Sequence, residues 1–293
     1  MLKVIKDKLS LLFFQNQNYI LYNLFNKTYK IFKCKNAILS KTILDFKKKG
    51  YAKSKKISEN EIDKINSLLS QSKKKYTDNL TIFDINNELN EKIKELFFKN
   101  FIEEIKNFEE FYSSRIIISH VKIFTIHGFN KNNLEKKQFF SENYHTDNYF
   151  FTYFKLFINL EKIDDKKGPL HFVPKNNIKK FIEQSNYKNR YSYNEQKTQD
   201  LIFRNVGDKG ESIFINTVEF LHRAGVPEQG ENRTVLLFHL NVIPEKLRAK
   251  NYFEYENTSN NIFENDYWSR YFAKPQTIIK TFKFFKNFIF SRH

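Results

Sequence analysis

Asn143-Tyr-His-Thr-Asp-Asn148 is the stretch from which the fold and the chemistry of this chain are best approached. It places His145 and Asp147 two residues apart, directly before the apolar run of residues 149–160. In an extended segment, residues i and i+2 point to the same side, so both side chains are predicted to face one cavity. A histidine and a carboxylate are two of the three ligands of a mononuclear iron facial triad, which leaves three coordination positions open. The stretch therefore predicts half of a metal site.

A second histidine is expected far along the chain. His222 follows a predicted strand in Val218-Glu-Phe-Leu-His-Arg-Ala-Gly225, and 75 residues separate it from Asp147. Only a closed fold brings such distant residues together. His222 is therefore the candidate for the third metal ligand.

Arg233 opens the strand that follows His222. A buried guanidinium is unfavourable without a carboxylate partner, and its planar fork suits bidentate capture of one. Three metal ligands and one such arginine are the equipment for holding a dicarboxylate keto acid. The alternative interpretation is a structural salt bridge between Arg233 and a nearby acid.

The apolar pattern changes from a helical period to alternation at residue 115. Strands are predicted at 115–127, 151–160, 169–174, 211–216 and 233–242, with a mostly helical excursion at 178–194. In the second of these strands the even positions are apolar, whereas Lys155 and Asn159 interrupt the odd face. Many short strands after leading helices predict a mainly β fold with flanking α-helices, built as a barrel or sandwich.

Three helices are predicted before the strands. Ser40 is placed to cap a helix that ends before Gly50, and Ser58-Glu-Asn-Glu61 matches a capping box at the start of a second helix. A third helix is predicted over residues 87–110. These helices are expected to form a covering layer on the strands.

Positive charge is concentrated at the two ends of the chain. Residues 1–56 carry a net charge of +12 and residues 268–293 carry +6, so the total of +17 leaves −1 for residues 57–267. A neutral centre argues against an active site that follows a nucleic-acid backbone, which needs a basic groove. We therefore predict a basic N-terminal extension (1–38), one catalytic domain (39–267) and a basic aromatic tail (268–293).

Cysteine usage and the N-terminus predict a cytoplasmic protein. Cys34 is the single cysteine, which excludes an internal disulfide framework and fits a reducing compartment. The apolar run near the N-terminus is short for a signal peptide or a membrane span. A basic amphipathic helix over residues 275–293 would lie in an anionic membrane surface, which makes peripheral membrane contact one interpretation of the tail. Packing on the body or on a second copy is the other.

Four separated blocks of this chain resemble the phytanoyl-CoA dioxygenase family of Fe(II)- and 2-oxoglutarate-dependent oxygenases. They are His145-Thr-Asp147, Gly168-Pro-Leu-His-Phe-Val-Pro174, Gly207-Asp208 leading to His222, and Arg233. The resemblance implies a double-stranded β-helix, which is a jelly-roll, cupin-like core. It also implies that His145, Asp147 and His222 ligate iron and that Arg233 binds the distal carboxylate of 2-oxoglutarate. The reaction it implies uses O2, releases succinate and carbon dioxide, and hydroxylates an unactivated C–H bond.

Departures from the family pattern refine these expectations. Lys175-Asn-Asn177 stands where the family commonly continues Gly-Ser-His, which leaves the shape of that loop open. Family halogenases carry a small residue in place of the carboxylate, so Asp147 favours hydroxylation. The nucleic-acid demethylase branch carries a second arginine where this chain has His239, which argues against that branch.

Further polar residues on the predicted strands are candidates for the same cavity. Lys122, Lys155 and Asn159 are placed to contact the keto acid or the substrate, with solvent exposure at a strand edge as the alternative. The remaining histidines of the strands are expected to be structural, and they are His120, His127, His171 and His239.

Two other function classes stay open at this stage. One is a non-catalytic double-stranded β-helix protein that binds a ligand or partner through its basic ends. The other is a metal-dependent cupin-type isomerase or hydrolase, which has no need of Arg233. The substrate is expected to be a small organic or lipid-linked molecule, and the sequence does not identify it.

Overall fold

The alternating stretches of the sequence form the strands of two antiparallel sheets in a computed structural model of the protein. The structure describes residues 40–77, 79–112, 115–128, 143–147, 153–188 and 193–243. The larger sheet has the order β1-β8-β5-β10-β4-β3-β2, and the smaller sheet has the order β7-β6-β9. The strands are β1 (Tyr51–Lys53), β2 (Lys74–Thr77), β3 (Leu80–Phe83), β4 (Arg115–His127), β5 (Tyr153–Asn159), β6 (His171–Phe172), β7 (Phe203–Arg204), β8 (Ser212–Ile215), β9 (His222–Arg223) and β10 (Asn232–Ile243).

The chain passes back and forth between the two sheets. From β4 it crosses to His145, which pairs with His222 of β9, and it returns to the larger sheet as β5. It then crosses to β6 and β7, returns as β8, crosses to β9 and returns as β10. This alternation is the winding of a double-stranded β-helix, so the predicted jelly-roll fold is confirmed.

The pairing of β4 with β10 is the longest in the sheet. Their register runs from Asn232 opposite His127 to Ile243 opposite Arg115, with a bulge after His239. β5 flanks β10 on its other side, with Asn159 opposite Val235 and Lys155 opposite His239. This register places side chains of all three strands in rows on the face toward the small sheet.

The two faces of the larger sheet bury different residues. The even positions of β5 join the large core cluster with the helices, which confirms the predicted apolar face. On the odd face, Phe157 packs with Phe172 of the small sheet and with Ile213 and Ile215 of β8. The odd face of β5 therefore lines the space between the sheets, and its polar residues Lys155 and Asn159 lie inside the fold.

Four α-helices flank the sheets in the described part of the chain. They are α1 (Lys41–Lys49), α2 (Glu59–Gln71), α3 (Asn87–Tyr112) and α4 (Ile178–Ser185). Both predicted caps are present, because Ser40 accepts from the Ile43 N–H and Ser58 accepts from the Glu61 N–H. α1 is capped at its C-terminal end by Gly50, whose φ of 84° lies in the left-handed region that favours glycine. The first three helices pack on the outer face of the larger sheet and form the covering layer that was predicted.

One local prediction was wrong, and one hairpin was missed. The helix predicted over residues 178–194 ends at Ser185, where Asn186 takes a left-handed conformation with φ 52°. The hairpin of β2 and β3 was not predicted, because its inward residue Thr81 is polar and breaks the apolar alternation. Thr81 is nevertheless 4% exposed, and its hydroxyl is hydrogen-bonded to Nε2 of His127 at 2.7 Å.

The basic ends of the chain, 1–38 and 268–293, lie outside the described residues. Their boundaries, the membrane contact of the tail and the cytoplasmic location therefore stay predictions. Among the described helices, none combines the length and the apolar character that crossing a membrane requires.

Candidate metal centre

His145 and His222 meet across a two-residue pairing of the backbone. The His145 N–H donates to the His222 carbonyl at 3.0 Å, and the His222 N–H donates back at 2.9 Å. β9 is held in turn by β6, with Phe172 opposite His222. The small sheet thus places the two imidazoles side by side, with their ring centroids 4.5 Å apart.

Main-chain carbonyls orient both imidazoles. Nδ1 of His145 lies 2.7 Å from the Asn143 carbonyl, and Nδ1 of His222 lies 3.2 Å from the Phe220 carbonyl. Because a carbonyl only accepts, each Nδ1 carries a proton, and Nε2 is the ring nitrogen left to face Asp147. This is the orientation that metal-binding histidines adopt in proteins.

Asp147 completes a group of three converging ligand atoms. Its Oδ1 lies 3.8 Å from Nε2 of His145 and 3.6 Å from Nε2 of His222. The ligand atoms of the three residues all lie within 4.8 Å of one another. The Asp147 N–H donates to the Thr217 carbonyl at 2.8 Å, which ties this segment to the loop after β8.

Lys155 binds the other oxygen of the same carboxylate. Its Nζ lies 2.6 Å from Oδ2 of Asp147, and both side chains are about nine-tenths buried, with exposures of 11% and 12%. Burial raises the pKa of the Asp147 carboxyl, but Lys155 and then His222 lower it by more than burial raises it. The pKa therefore lies well below its usual range. The carboxylate is thus ionised, with Oδ2 held and Oδ1 facing the imidazoles.

The donor set fits a divalent transition metal. Two imidazoles and one carboxylate on one side of an ion leave positions open on the other side, as in non-haem Fe(II) oxygenases. The site is nearly dry, with His145 9% exposed and His222 4% exposed. The structure therefore brings together all three residues that the sequence singled out as metal ligands.

Arg233 is buried on the inner face of β10, and no carboxylate of the described residues pairs with it. It is 4% exposed, its Nη1 donates to the Gly168 carbonyl, and its Nε has no hydrogen-bond partner among the described residues. Burial lowers the pKa of the guanidinium to about 10, and Glu161 offsets part of this effect. No acid of the described residues lies within ion-pair distance of the guanidinium. The alternative interpretation, a structural salt bridge with a nearby acid, therefore finds no partner there.

Lys122 and Asn159 lie on the same inner face. Lys122 is opposite Leu237, and Asn159 is opposite Val235, which is two residues from Arg233. Burial, and then the charge of Lys155, lowers the pKa of Lys122 to about 8. Asn159 is 2% exposed, and its amide donates to the Asp208 carbonyl at 3.5 Å. Exposure at a strand edge is therefore excluded for both residues.

The other histidines of the strands have identifiable neighbours. His171 lies 3.4 Å from the Tyr144 hydroxyl and 3.7 Å from Glu195, and the Tyr153 hydroxyl is hydrogen-bonded to His239. His120 packs edge-on against His239, with ring centroids 5.3 Å apart. None of the four histidines belongs to the three-ligand group.

Sequence reasoning missed the contacts that prepare the site. The carbonyls of Asn143 and Phe220 carry no side-chain signal, although each lies two residues before its histidine. The pairing of Lys155 with Asp147 was missed as well, since Lys155 was considered only as a contact for the keto acid or the substrate. The odd-face position of Lys155 was the one available signal.

Neither a family model nor a curated protein matches this chain. Among solved structures it is similar to HygX from Streptomyces hygroscopicus with nickel and 2-oxoglutarate bound, with 11% identity over 71% of this chain and 90% of that chain and a TM-score of 0.47. It is also similar to an oxidoreductase of the 2OG-Fe(II) oxygenase family from Burkholderia pseudomallei (12%, 72% and 93%, 0.48). A third similar structure is EctD from S. alaskensis with bound Fe (13%, 71% and 78%, 0.48). At such identities the function must be inferred from the side chains of the site.

Proposed function

We propose that this protein is an Fe(II)- and 2-oxoglutarate-dependent oxygenase. The observation that supports it best is the convergence of two imidazole Nε2 atoms and one carboxylate oxygen between the sheets. A buried guanidinium, that of Arg233, lies on the facing sheet, and among the described residues it has no carboxylate partner. The three ligand atoms suit a metal ion, and the guanidinium suits the far carboxylate of an elongated dianion. The combination therefore fits a metal with a bound dianion better than it fits a metal alone.

The residues have distinct roles in this proposal. His145, Asp147 and His222 hold the iron, and Arg233 binds the distal carboxylate of 2-oxoglutarate. Lys122 and Asn159 contact the keto acid from β4 and β5, on the same inner face as Arg233. The bound iron, 2-oxoglutarate and O2 together supply an oxidant for an unactivated C–H bond, with release of succinate and carbon dioxide.

The chain itself contributes orientation and exclusion of water. Carbonyl partners of Nδ1 fix the two imidazoles, and Lys155 holds Oδ2 of Asp147 so that Oδ1 faces the ligand group. Apolar residues of the inner face, Val235 and Leu237, are 4% and 5% exposed and keep the wall beside Arg233 dry. In a dry site, fixed charges act on a bound dianion more strongly than they do in water.

Hydroxylation of the phytanoyl-CoA dioxygenase type is the outcome that the ligand set favours. Asp147 occupies the coordination position that a halide needs, which argues against halogenation. Buried Arg233 argues against a cupin-type isomerase or hydrolase, and the retained ligand set argues against a non-catalytic β-helix. We propose a small organic or lipid-linked substrate, and nucleic acid is disfavoured by the neutral charge of residues 57–267.

Anaerobic titration with Fe(II) and 2-oxoglutarate tests the proposal. A metal-to-ligand charge-transfer absorption band is expected for the full chain, and it is expected to be lost in His145→Ala together with iron binding. Arg233→Met is expected to weaken the binding of 2-oxoglutarate by about 30-fold or more. The reason is that truncating one partner of a buried charge pair costs about 2 kcal/mol or more.

Two matched controls accompany these variants. His127→Ala changes an exposed histidine at the end of β4, and Arg204→Met changes a guanidinium on the small sheet whose side chain is 39% exposed. Both are expected to keep the absorption band. Absence of the band in the parent protein contradicts the proposal, and a band that survives in His145→Ala contradicts the ligand assignment.

A further inference from the structure

A cavity lies on the outer face of the small sheet. It has a volume of about 490 Å³, and we call it the outer cleft. Its polar wall includes Asp165, His171, Glu195, Gln199, Arg204 and Arg223, and Asn143 lies at its edge. The volume is within the range of about 300–1,000 Å³ that is typical of small-molecule sites.

The sheet separates the outer cleft from the metal centre. Successive residues of a strand point to opposite faces, so Phe172 and His222 face the space between the sheets, whereas their neighbours His171 and Arg223 face outward. His171 lies opposite both Arg204 and Arg223 in the small sheet, which sets the three side chains in one row. A ligand in the outer cleft would therefore not be the molecule presented to the metal.

The side chains of the wall are joined in a continuous run of hydrogen bonds. Asp165 pairs with Arg204 at 3.4 Å, and Arg204 donates to Gln199 at 2.5 Å. Gln199 donates to Glu195 at 3.2 Å, and Arg223 donates to the same carboxylate oxygen at 2.9 Å. Donors and acceptors thus alternate along the wall.

The charges of this wall balance. Burial raises the pKa of Glu195, but the opposing effect of His171 and then Arg223 is larger and brings it down to about 2. Burial lowers the pKa of His171, so the imidazole is neutral near pH 7. Two guanidiniums then face two carboxylates, and the wall offers no excess of charge to a free anion or cation.

A wall of this kind is complementary to hydroxyl groups. A hydroxyl donates one hydrogen bond and accepts two, so it can bind a carboxylate and a guanidinium at the same time. Each of the two ion pairs offers one acceptor beside one donor, which matches a pair of neighbouring hydroxyls. Tyr193 also lines the outer cleft and supplies an aromatic surface for the C–H groups of such a ligand.

We propose that the outer cleft is a binding site for a polyhydroxylated, sugar-like ligand. The proposal goes beyond the oxygenase function, because it concerns the opposite face of the sheet and involves no metal. It would add to the chain a second ligand site that works without iron or 2-oxoglutarate.

Saturation-transfer NMR and calorimetry on the full chain test this proposal. The probes are the methyl glycosides of glucose, galactose and mannose, N-acetylglucosamine, and inorganic phosphate as a small oxyanion. At least one sugar is expected to bind, and Arg204→Ala is expected to weaken it by about tenfold, which corresponds to one lost hydrogen-bonding partner. Because Arg204 is 39% exposed in its side chain, this variant is expected to fold.

Two controls make the outcome specific. Lys179→Ala changes an 89% exposed side chain on α4 and is expected to leave sugar binding unchanged. Asp147→Asn, which removes a candidate metal ligand that does not line the outer cleft, is expected to leave it unchanged too, so failure of the oxygenase proposal and failure of this one are distinguishable. Absence of binding by every sugar, binding of phosphate alone, or binding unaffected by Arg204→Ala would overturn the proposal.

Discussion

Lys155 and Asp147 form a buried ion pair, and burial makes such a pair sensitive to the loss of one partner. Their side chains are 11% and 12% exposed, and the Nζ–Oδ2 distance is 2.6 Å. An unpaired buried charge costs more than the pair contributes, because the remaining ion keeps its desolvation penalty. Lys155 therefore serves as the counter-charge of Asp147 in metal-free protein.

Lys155→Met is expected to lower the free energy of unfolding by about 3 kcal/mol in metal-free buffer, since it leaves the Asp147 carboxylate uncompensated. Adding Asp147→Asn in the same chain is expected to recover most of this loss, because neither charge of this pair then remains buried. Urea unfolding followed by circular dichroism measures both values.

Lys56→Met is the matched control for this pair. Lys56 pairs with Asp208 at 3.2 Å, but both side chains are about half exposed. A surface pair of this kind contributes about 0–1 kcal/mol. Equal losses in Lys155→Met and Lys56→Met would show that the Lys155 pair is screened by water like a surface pair.

At the scale of elements, α3 has one buried face and one exposed face along its 26 residues. Phe97 is fully buried and packs on Phe238 of β10, with ring centroids 5.1 Å apart. The next residue, Phe98, is 41% exposed. The helical period of 3.6 residues separates the two aromatic side chains onto different faces of one helix.

Phe97→Ala is expected to lower the free energy of unfolding by about 3–5 kcal/mol, because it leaves a cavity between α3 and the sheet. Phe98→Ala makes the same chemical change on the exposed face and is expected to cost under about 1 kcal/mol. Thermal and urea unfolding measure the difference. A similar loss in both variants would mean that α3 packs on the sheet through another face.

At the scale of the whole molecule, the space between the sheets holds several imidazoles that stay neutral. Burial, and then Lys122, lowers the pKa of His120 to about 4, and burial with Lys155 lowers that of His239 well below its usual range. In the unfolded chain a histidine takes up a proton near pH 6.5. Between these values the unfolded chain binds more protons, so stability falls as pH falls.

The protein is therefore expected to lose stability between pH 7 and pH 5 in metal-free buffer. Each such histidine contributes a slope on the order of 1 kcal/mol per pH unit. His120→Gln is expected to reduce the loss, since glutamine does not titrate. Urea midpoints of parent and variant at the two pH values check this, and an identical loss in both would rule out His120 as a source.

Local features of the sequence were sufficient to predict much of the fold and to single out the residues of the candidate site. The caps at Ser40 and Ser58 and the apolar alternation of β5 were predicted correctly, because each depends on neighbours within a few residues. The hairpin of β2 and β3 was missed, because burial of Thr81 depends on His127, which is 46 residues away.

The sequence by itself determined the types of the candidate ligands and their order, because imidazole, carboxylate and guanidinium chemistry belongs to each residue wherever it lies. The tertiary structure alone decided their geometry. The backbone pairing of His145 with His222, and the sheet register that turns Lys155 toward Asp147, join residues that are not neighbours in the chain. Such contacts depend on how two sheets close on each other, and the residue type at one position does not encode that closure.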